Sequence, residues 1–191
     1  MIRHILSALL CAAALLCLPL EPTAHDSPVD HVDRAIRIYF ENGKLFVRYQ
    51  LQLSERSATM QLAQLDTNQD GMISDAERGT FFAAQQKELS ALLKLKLGEN
   101  ALELKPEGTV ELLPQFKQVF LFSAPAGKLE KGRFKGELLD LYSRNYPGAY
   151  RWDEPKRKVE GPSVQVSEAP KFHTVDGHPS VLLIRFELQI P

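Results

Sequence analysis

Cysteine is nearly missing from this chain. Of its 191 residues only Cys11 and Cys17 carry a thiol, and both stand close to the amino terminus. Everything after them lacks disulfides, thiolate metal sites and a cysteine nucleophile. An excess of one charge is missing too: 23 Lys and Arg against 24 Asp and Glu leave a net charge of −1. Such a balance sets up no field that would gather nucleic acid or an anionic lipid surface. Long apolar runs are confined to the start of the chain. The best later candidate, Val181 to Ile190, is short and contains Arg185 and Glu187, so no membrane span is expected after the leader. The chain also has no Gly-x-Ser-x-Gly elbow, no His-Glu-x-x-His, no phosphate loop and no dinucleotide fingerprint. Nothing in it argues for an enzyme.

What is present begins with residues 1–24, which read as a signal peptide. Arg3 and His4 form a short basic start, Ile5 to Leu18 an apolar stretch, and Pro19 to Ala24 a break. Cleavage after Ala24 would leave His25 first, although Pro22 at the −3 position departs from the small-x-small rule. Losing Arg3 and Glu21 leaves the net charge at −1. An export signal on a chain without disulfides fits a bacterial periplasmic or secreted protein. Residues 25–191 suit one domain with a sizeable core.

Two periodicities divide that domain. Asp33 to Leu53 reads as a β-hairpin: Ile36, Ile38 and Phe40 alternate, then Leu45, Val47, Tyr49, Leu51 and Leu53, with a type I′ turn at Asn42-Gly43. Ser54 can cap a helix running to about Leu65, with Ala58, Leu62 and Leu65 on one side. A second helix is expected from about Ser74 to Leu93, with Phe82, Leu89 and Leu93 in one stripe and Phe81 and Leu92 beside it. Strands return at Leu95–Leu97, Leu102–Leu104, Val110–Leu113, Phe116–Phe122, Arg133–Tyr142, Val164–Ser167 and Leu182–Ile190. Ala169 to Pro179 reads as loop. The expected fold is α+β, an antiparallel β-sandwich-like domain with a helix-loop-helix inserted at about 54–93.

The insertion carries the chemistry. Its connecting segment reads Asp66-Thr67-Asn68-Gln69-Asp70-Gly71-Met72-Ile73-Ser74-Asp75-Ala76-Glu77. A hard divalent cation such as Ca2+ takes six to eight oxygen ligands, and this spacing offers them at positions 1, 3, 5, 7, 9 and 12 of the loop. Those positions hold Asp66, Asn68, Asp70, the backbone carbonyl of Met72, Ser74 and Glu77. Gly71 falls where the chain must turn sharply, and Ile73 can anchor the loop to the core. A plainer reading makes the segment a polar turn in which Ser74 and Glu77 form a capping box. That reading leaves Asp66, Asn68, Asp70 and Gly71 unexplained at their spacings.

This segment resembles the EF-hand family, over about forty residues of the chain. The resemblance implies a calcium site. No second such loop exists: the acidic clusters Asp26–Asp33 and Asp140–Asp153 lack the spacing. A lone site with three carboxylates is expected to bind weakly, at roughly 10⁻⁴–10⁻³ M. Met60 and Met72 are the only methionines after the leader, so no Met-rich groove of a calcium sensor is expected. The role expected is a structural clamp within an exported binding or scaffold module.

A wider resemblance covers most of the chain after the leader. The Ala-His start, the β-hairpin, one Asp-rich loop followed by Ile-Ser-x-x-Glu, and Arg144-Asn145-Tyr146-Pro147-Gly148 with Trp152 are similar to the extracytoplasmic N-terminal domain of some bacterial nickel/cobalt permeases. Membrane helices do not follow here, so the resemblance implies a free-standing accessory domain whose partner is a separate membrane transporter. The alternative function is thus handling of nickel, cobalt or copper. His25 with its free amine, His31, His173 and His178 are the candidate ligands. They lack a spaced motif, and solvated loop histidines are the plainer reading. Phe81 and Phe82 read as helix core, Tyr146, Tyr150 and Trp152 as cover for a sandwich edge, and Arg151 and Lys156-Arg157-Lys158 as solvated loop.

Overall fold

The hairpin forms where the alternation places it. Val32–Glu41 (β1) and Lys44–Leu53 (β2) pair antiparallel, with Glu41 opposite Lys44 across a two-residue turn. Asn42 and Gly43 both take positive φ, 50° and 75°, as a type I′ turn requires. The computed structural model describes residues 32–144, 149–152, 161–175 and 178–191, without the side chains of 172–175 and 178–180. The expected leader, Cys11, Cys17, His25, His31, Tyr146 with its neighbours at 145–148, and Lys156-Arg157-Lys158 lie outside the described residues.

Two helices follow the hairpin: Glu55–Leu65 (α1) and Asp75–Leu92 (α2). The strands after them are Leu93–Leu97 (β3), Asn100–Leu102 (β4), Lys105–Pro106 (β5), Glu111–Leu113 (β6), Lys117–Pro125 (β7), Gly132–Asp140 (β8), Tyr150–Trp152 (β9), Ser163–Val166 (β10), Lys171–Val175 (β11) and His178–Ile190 (β12). They build two six-stranded sheets. Sheet A runs β5-β7-β2-β1-β9, with β6 also on β7; sheet B runs β10-β12-β8-β3-β4, with β11 also on β12. All pairings among the described residues are antiparallel except β9 on β1. The α+β sandwich expected from the alternation is the fold, and the helical pair stands between β2 and β3.

The core lies between the sheets. Ile36, Ile38, Leu45, Val47, Tyr49, Leu51, Phe120 and Phe122 face Leu93, Leu95, Leu138, Leu182, Ile184, Phe186 and Leu188. Fully burying one such aliphatic or aromatic side chain contributes about 1.5–3 kcal/mol. Gly136 sits opposite Phe186 in the β8–β12 ladder, and a Cβ there would overlap the Phe186 ring. Glycine at that position lets the aromatic ring lie flat on the neighbouring backbone.

Four expectations are corrected. Leu62 is 50% exposed, while Ala58 and Leu65 are buried. The helix is rolled so that Gln61 reaches Gln118, a buried amide on β7 that needs a polar partner. The strand expected from Leu95 already starts at Leu93, which is also the C-cap of the second helix. Leu93 pairs with Asp140, so the chain passes from α2 into sheet B without a loop. The strand expected to reach Tyr142 stops at Asp140, and Leu141–Arg144 form a 3-10 turn. Asp140 dictates the stop: its carboxylate accepts the Ser143 amide at 3.2 Å and its carbonyl accepts the Ser143 hydroxyl at 2.7 Å. The segment Ala169–Pro179 is largely strand, because β11 pairs with the edge of β12.

Candidate functional site

The acidic loop between α1 and α2 is shaped by its own side chains. Thr67 N–H closes on the Leu65 carbonyl at 3.0 Å as α1 ends. The Asp66 carboxylate then accepts two loop amides, Asp70 N–H at 3.1 Å and Gly71 N–H at 2.9 Å. Asn68 Oδ1 also accepts Asp70 N–H, at 3.1 Å, and Asp70 Oδ1 accepts Met72 N–H at 2.8 Å. Short Asx side chains thus fold the backbone around themselves. The turn is made at two residues of positive φ, Gln69 (58°) and Gly71 (81°). Gly71 meets the need for a residue without Cβ; the left-handed Gln69 carried no sequence signal.

Glu77 ties the two ends of the loop together. Its Oε1 accepts Thr67 N–H and the Thr67 hydroxyl, both at 2.9 Å, and Asn68 N–H at 3.3 Å. Its Oε2 accepts Ser74 N–H at 2.9 Å and the Ser74 hydroxyl at 2.8 Å. Ser74 Oγ in turn accepts Glu77 N–H at 3.2 Å, which completes the capping box of α2. These bonds, led by the Ser74 amide and hydroxyl and then the Thr67 hydroxyl, hold the Glu77 carboxyl down to about 2. A carboxylate that accepts several donors favours its ionised form.

The expected ligands therefore share one loop, but their carboxylates do not converge. Asp66 and Asp70 are turned to N–H donors, and Glu77 to N–H and O–H donors. Among the described residues no group of three or more His, Cys, Asp or Glu side chains gathers as a metal cluster. The donor set nonetheless fits a hard cation. It consists of oxygen alone, and the Met72 carbonyl accepts no hydrogen bond from the described residues. Asn68, Asp70, Met72 and Ser74 are exposed and Asp66 is half-buried. Exchanging a surface hydrogen bond for a metal ligand exposes no buried group. Ile73 is half-buried, as an anchor should be.

The histidine alternative gains little. His173 and His178 lie on β11 and β12, where Val175 pairs with His178 and His173 with Val181. That places them on adjoining strands and not in a loop. Tyr150 and Trp152 belong to the edge strand β9 and pack partly against the core. Phe82 is buried and meets Phe81 edge-on at 5.4 Å.

A second polar cluster was not foreseen. Arg34 on β1, Tyr49 on β2 and Asp140 at the end of β8 meet inside the sandwich, each at most 2% exposed. Arg34 Nε donates to Tyr49 Oη at 3.1 Å, Tyr49 Oη donates to Asp140 Oδ2 at 2.8 Å, and Arg34 Nε lies 3.5 Å from that same oxygen. Ser143 Oγ accepts Leu182 N–H at 3.2 Å and so joins the cluster to β12. Burial outweighs Arg34 and the hydrogen bonds, leaving the Asp140 carboxyl above its usual range. Burial first, and Asp140 second, push the Tyr49 and Tyr150 hydroxyls up. A signal existed: Arg34 continues the inward phase of Ile36 and Ile38, and Asp140 that of Leu138. A charge on the apolar phase of a strand marks a buried polar contact. The cluster pins sheet A to sheet B.

No helix among the described residues is long and apolar enough to cross a membrane. No family model matches the chain, and no curated protein sequence is significantly similar to it.

Proposed function

We propose that the protein is an exported calcium-binding module in which Ca2+ clamps the α1–α2 insertion. The observation that carries this reading is the loop Asp66–Glu77, whose residue types, spacing and Gly71 turn match a calcium loop at each ligand position. Asp66, Asn68, Asp70, the Met72 carbonyl, Ser74 and Glu77 would hold the ion. The ion supplies a divalent centre that offsets the mutual repulsion of Asp66, Asp70 and Glu77. Glu77 already bridges Thr67 and Ser74, so a ligand at Glu77 would stiffen both ends of the loop. Ile73, Leu65 and Phe82 would pass that stiffness to the body of the domain.

The test is thermal unfolding in excess EDTA and in millimolar calcium, with magnesium as control. At about 2 mM free Ca2+ a site of the expected affinity stabilises by about 0.6–2 kcal/mol. In a domain of this size that raises Tm by a few degrees. Magnesium demands tighter octahedral geometry and keeps its waters, so it should give less. Glu77→Gln keeps the capping box but removes the charge, and it should abolish the calcium shift. An equal Tm in EDTA and calcium would reduce the loop to a self-capped turn.

A further inference from the structure

Among the described residues, the interior of this protein contains no sulfur. Its core is built from Val, Leu, Ile, Ala, Phe and Tyr. After the expected leader the chain holds two sulfur atoms, in Met60 and Met72. Met60 is 47% exposed and Met72 72%, the highest value among the exposed large apolar side chains. Met60 lies two residues past Ala58, the buried position of α1, which sets it about 200° around the helix from that contact. The backbone of Met72 is fixed, since its N–H donates to Asp70 Oδ1 at 2.8 Å. Its side chain stands in water, while the next residue, Ile73, takes a half-buried place.

The place of a thioether decides what oxidation does to a protein. In a core the sulfur is screened from oxidants, and a sulfoxide formed there sets a polar S=O among apolar groups. At the surface the sulfur is reached directly, and water accepts the new dipole. Met72 is of the second kind. The hydrogen bonds that shape its loop run through the backbone and the side chains of Asp66, Asn68, Asp70, Ser74 and Glu77. Adding an oxygen to Sδ breaks none of them.

We propose that Met72, followed by Met60, is a site of reversible S-oxidation by peroxides that the folded protein tolerates without loss of stability. The lone pair of Sδ attacks one peroxide oxygen and the O–O bond breaks. The departing hydroxide takes the proton of the transferred oxygen and leaves as water. Sulfur gives up two electrons to become the sulfoxide, and the peroxide is reduced by the same two. A methionine sulfoxide reductase reverses the step. The Met72 carbonyl takes no part in it, so the inference stands apart from the calcium reading.

The experiment is a time course of the full chain in millimolar hydrogen peroxide, read by mass-spectrometric peptide mapping, with Cys11 and Cys17 alkylated first. Reductases for both sulfoxide epimers are then added. Tm is read before oxidation, after it and after repair. The peptide carrying Met72 should gain about 16 Da, one oxygen atom, before the peptide carrying Met60 does. Unfolding in urea should speed Met72 oxidation by less than about twofold, because most of its surface already meets solvent. The reductases should remove the added oxygen, and Tm should be the same at all three readings, because no core contact is lost. Met72→Leu should abolish the fast phase and keep the Tm. The proposal would be overturned by slower oxidation of Met72 than of Met60, or by an acceleration in urea above that limit. A sulfoxide the reductases cannot reach, a fall in Tm on oxidation, or a fast phase that persists in Met72→Leu would overturn it equally.

Discussion

The protein contains two polar networks built on opposite principles. The Arg34–Tyr49–Asp140 cluster is fully buried and joins residues far apart in sequence, across both sheets. The Asp66–Glu77 network lies at the surface and joins residues within one loop. In the first, every hydrogen bond replaces water that cannot return, so losing one partner strands the other. In the second, water can replace any partner lost. The difference separates two jobs: the buried cluster fixes how the sheets face each other, and the surface loop keeps its oxygens exchangeable.

The largest effect should come from breaking the buried side. Asp140→Ala leaves the Arg34 charge in the core, and such breaks destabilise by about 3–5 kcal/mol. Denaturant unfolding should show that loss as a lower midpoint with an unchanged slope. A change below about 1 kcal/mol would mean that water reaches Arg34.

Next in size is Gly136→Ala, whose methyl would meet the Phe186 ring. Overpacking of this kind costs about 1–3 kcal/mol. It leaves both polar networks intact, so it calibrates how much of the Asp140→Ala effect is electrostatic. On the loop side, Ser74→Ala removes the cap of α2 and one donor to Glu77. The expected loss is about 1 kcal/mol, again by denaturant unfolding. A loss as large as that of Asp140→Ala would erase the distinction between the networks.

Acid should separate the two most finely. Glu77 has its folded pKa lowered to about 2 from 4.5, so its contribution is present above the unfolded value. That contribution is lost as pH falls from about 4.5 towards 2. Asp140 has its folded pKa raised, so from this group alone stability rises as pH falls through that value. Amide exchange should therefore show Thr67 and Ser74 losing protection on acidification before Ser143 and Leu182 do. The reverse order would contradict the account.

Much of this was legible from residue patterns. Period-two alternation located the hairpin to within a residue, because Asn42-Gly43 admits only a tight turn. The loop spacing singled out Asp66, Asn68, Asp70, Ser74 and Glu77, whose side-chain oxygens bond to the loop's own N–H groups. What escaped was set by long-range partners. Nothing local in Leu93 announces a strand; its pairing with β8 decides it. Leu62 looked apolar enough to bury, but the need of Gln118 for Gln61 turned the helix instead. The strands β5 and β9 are two and three residues long and exist only by pairing with β7 and β1. Arg34 and Asp140 were readable by phase, as charges on apolar rows.

The most direct test of the calcium loop is an NMR titration of the protein with calcium, read at the Gly71 amide. That amide donates to Asp66 Oδ2 at 2.9 Å, so it reports any charge placed on the Asp66 carboxylate. The account predicts a saturable shift in the range of roughly 10⁻⁴–10⁻³ M Ca2+. The shift should be confined to 66–77 and the residues packed on them, weak with magnesium and lost in Glu77→Gln. A Gly71 amide unmoved through ~10 mM Ca2+, well above that range, would contradict it.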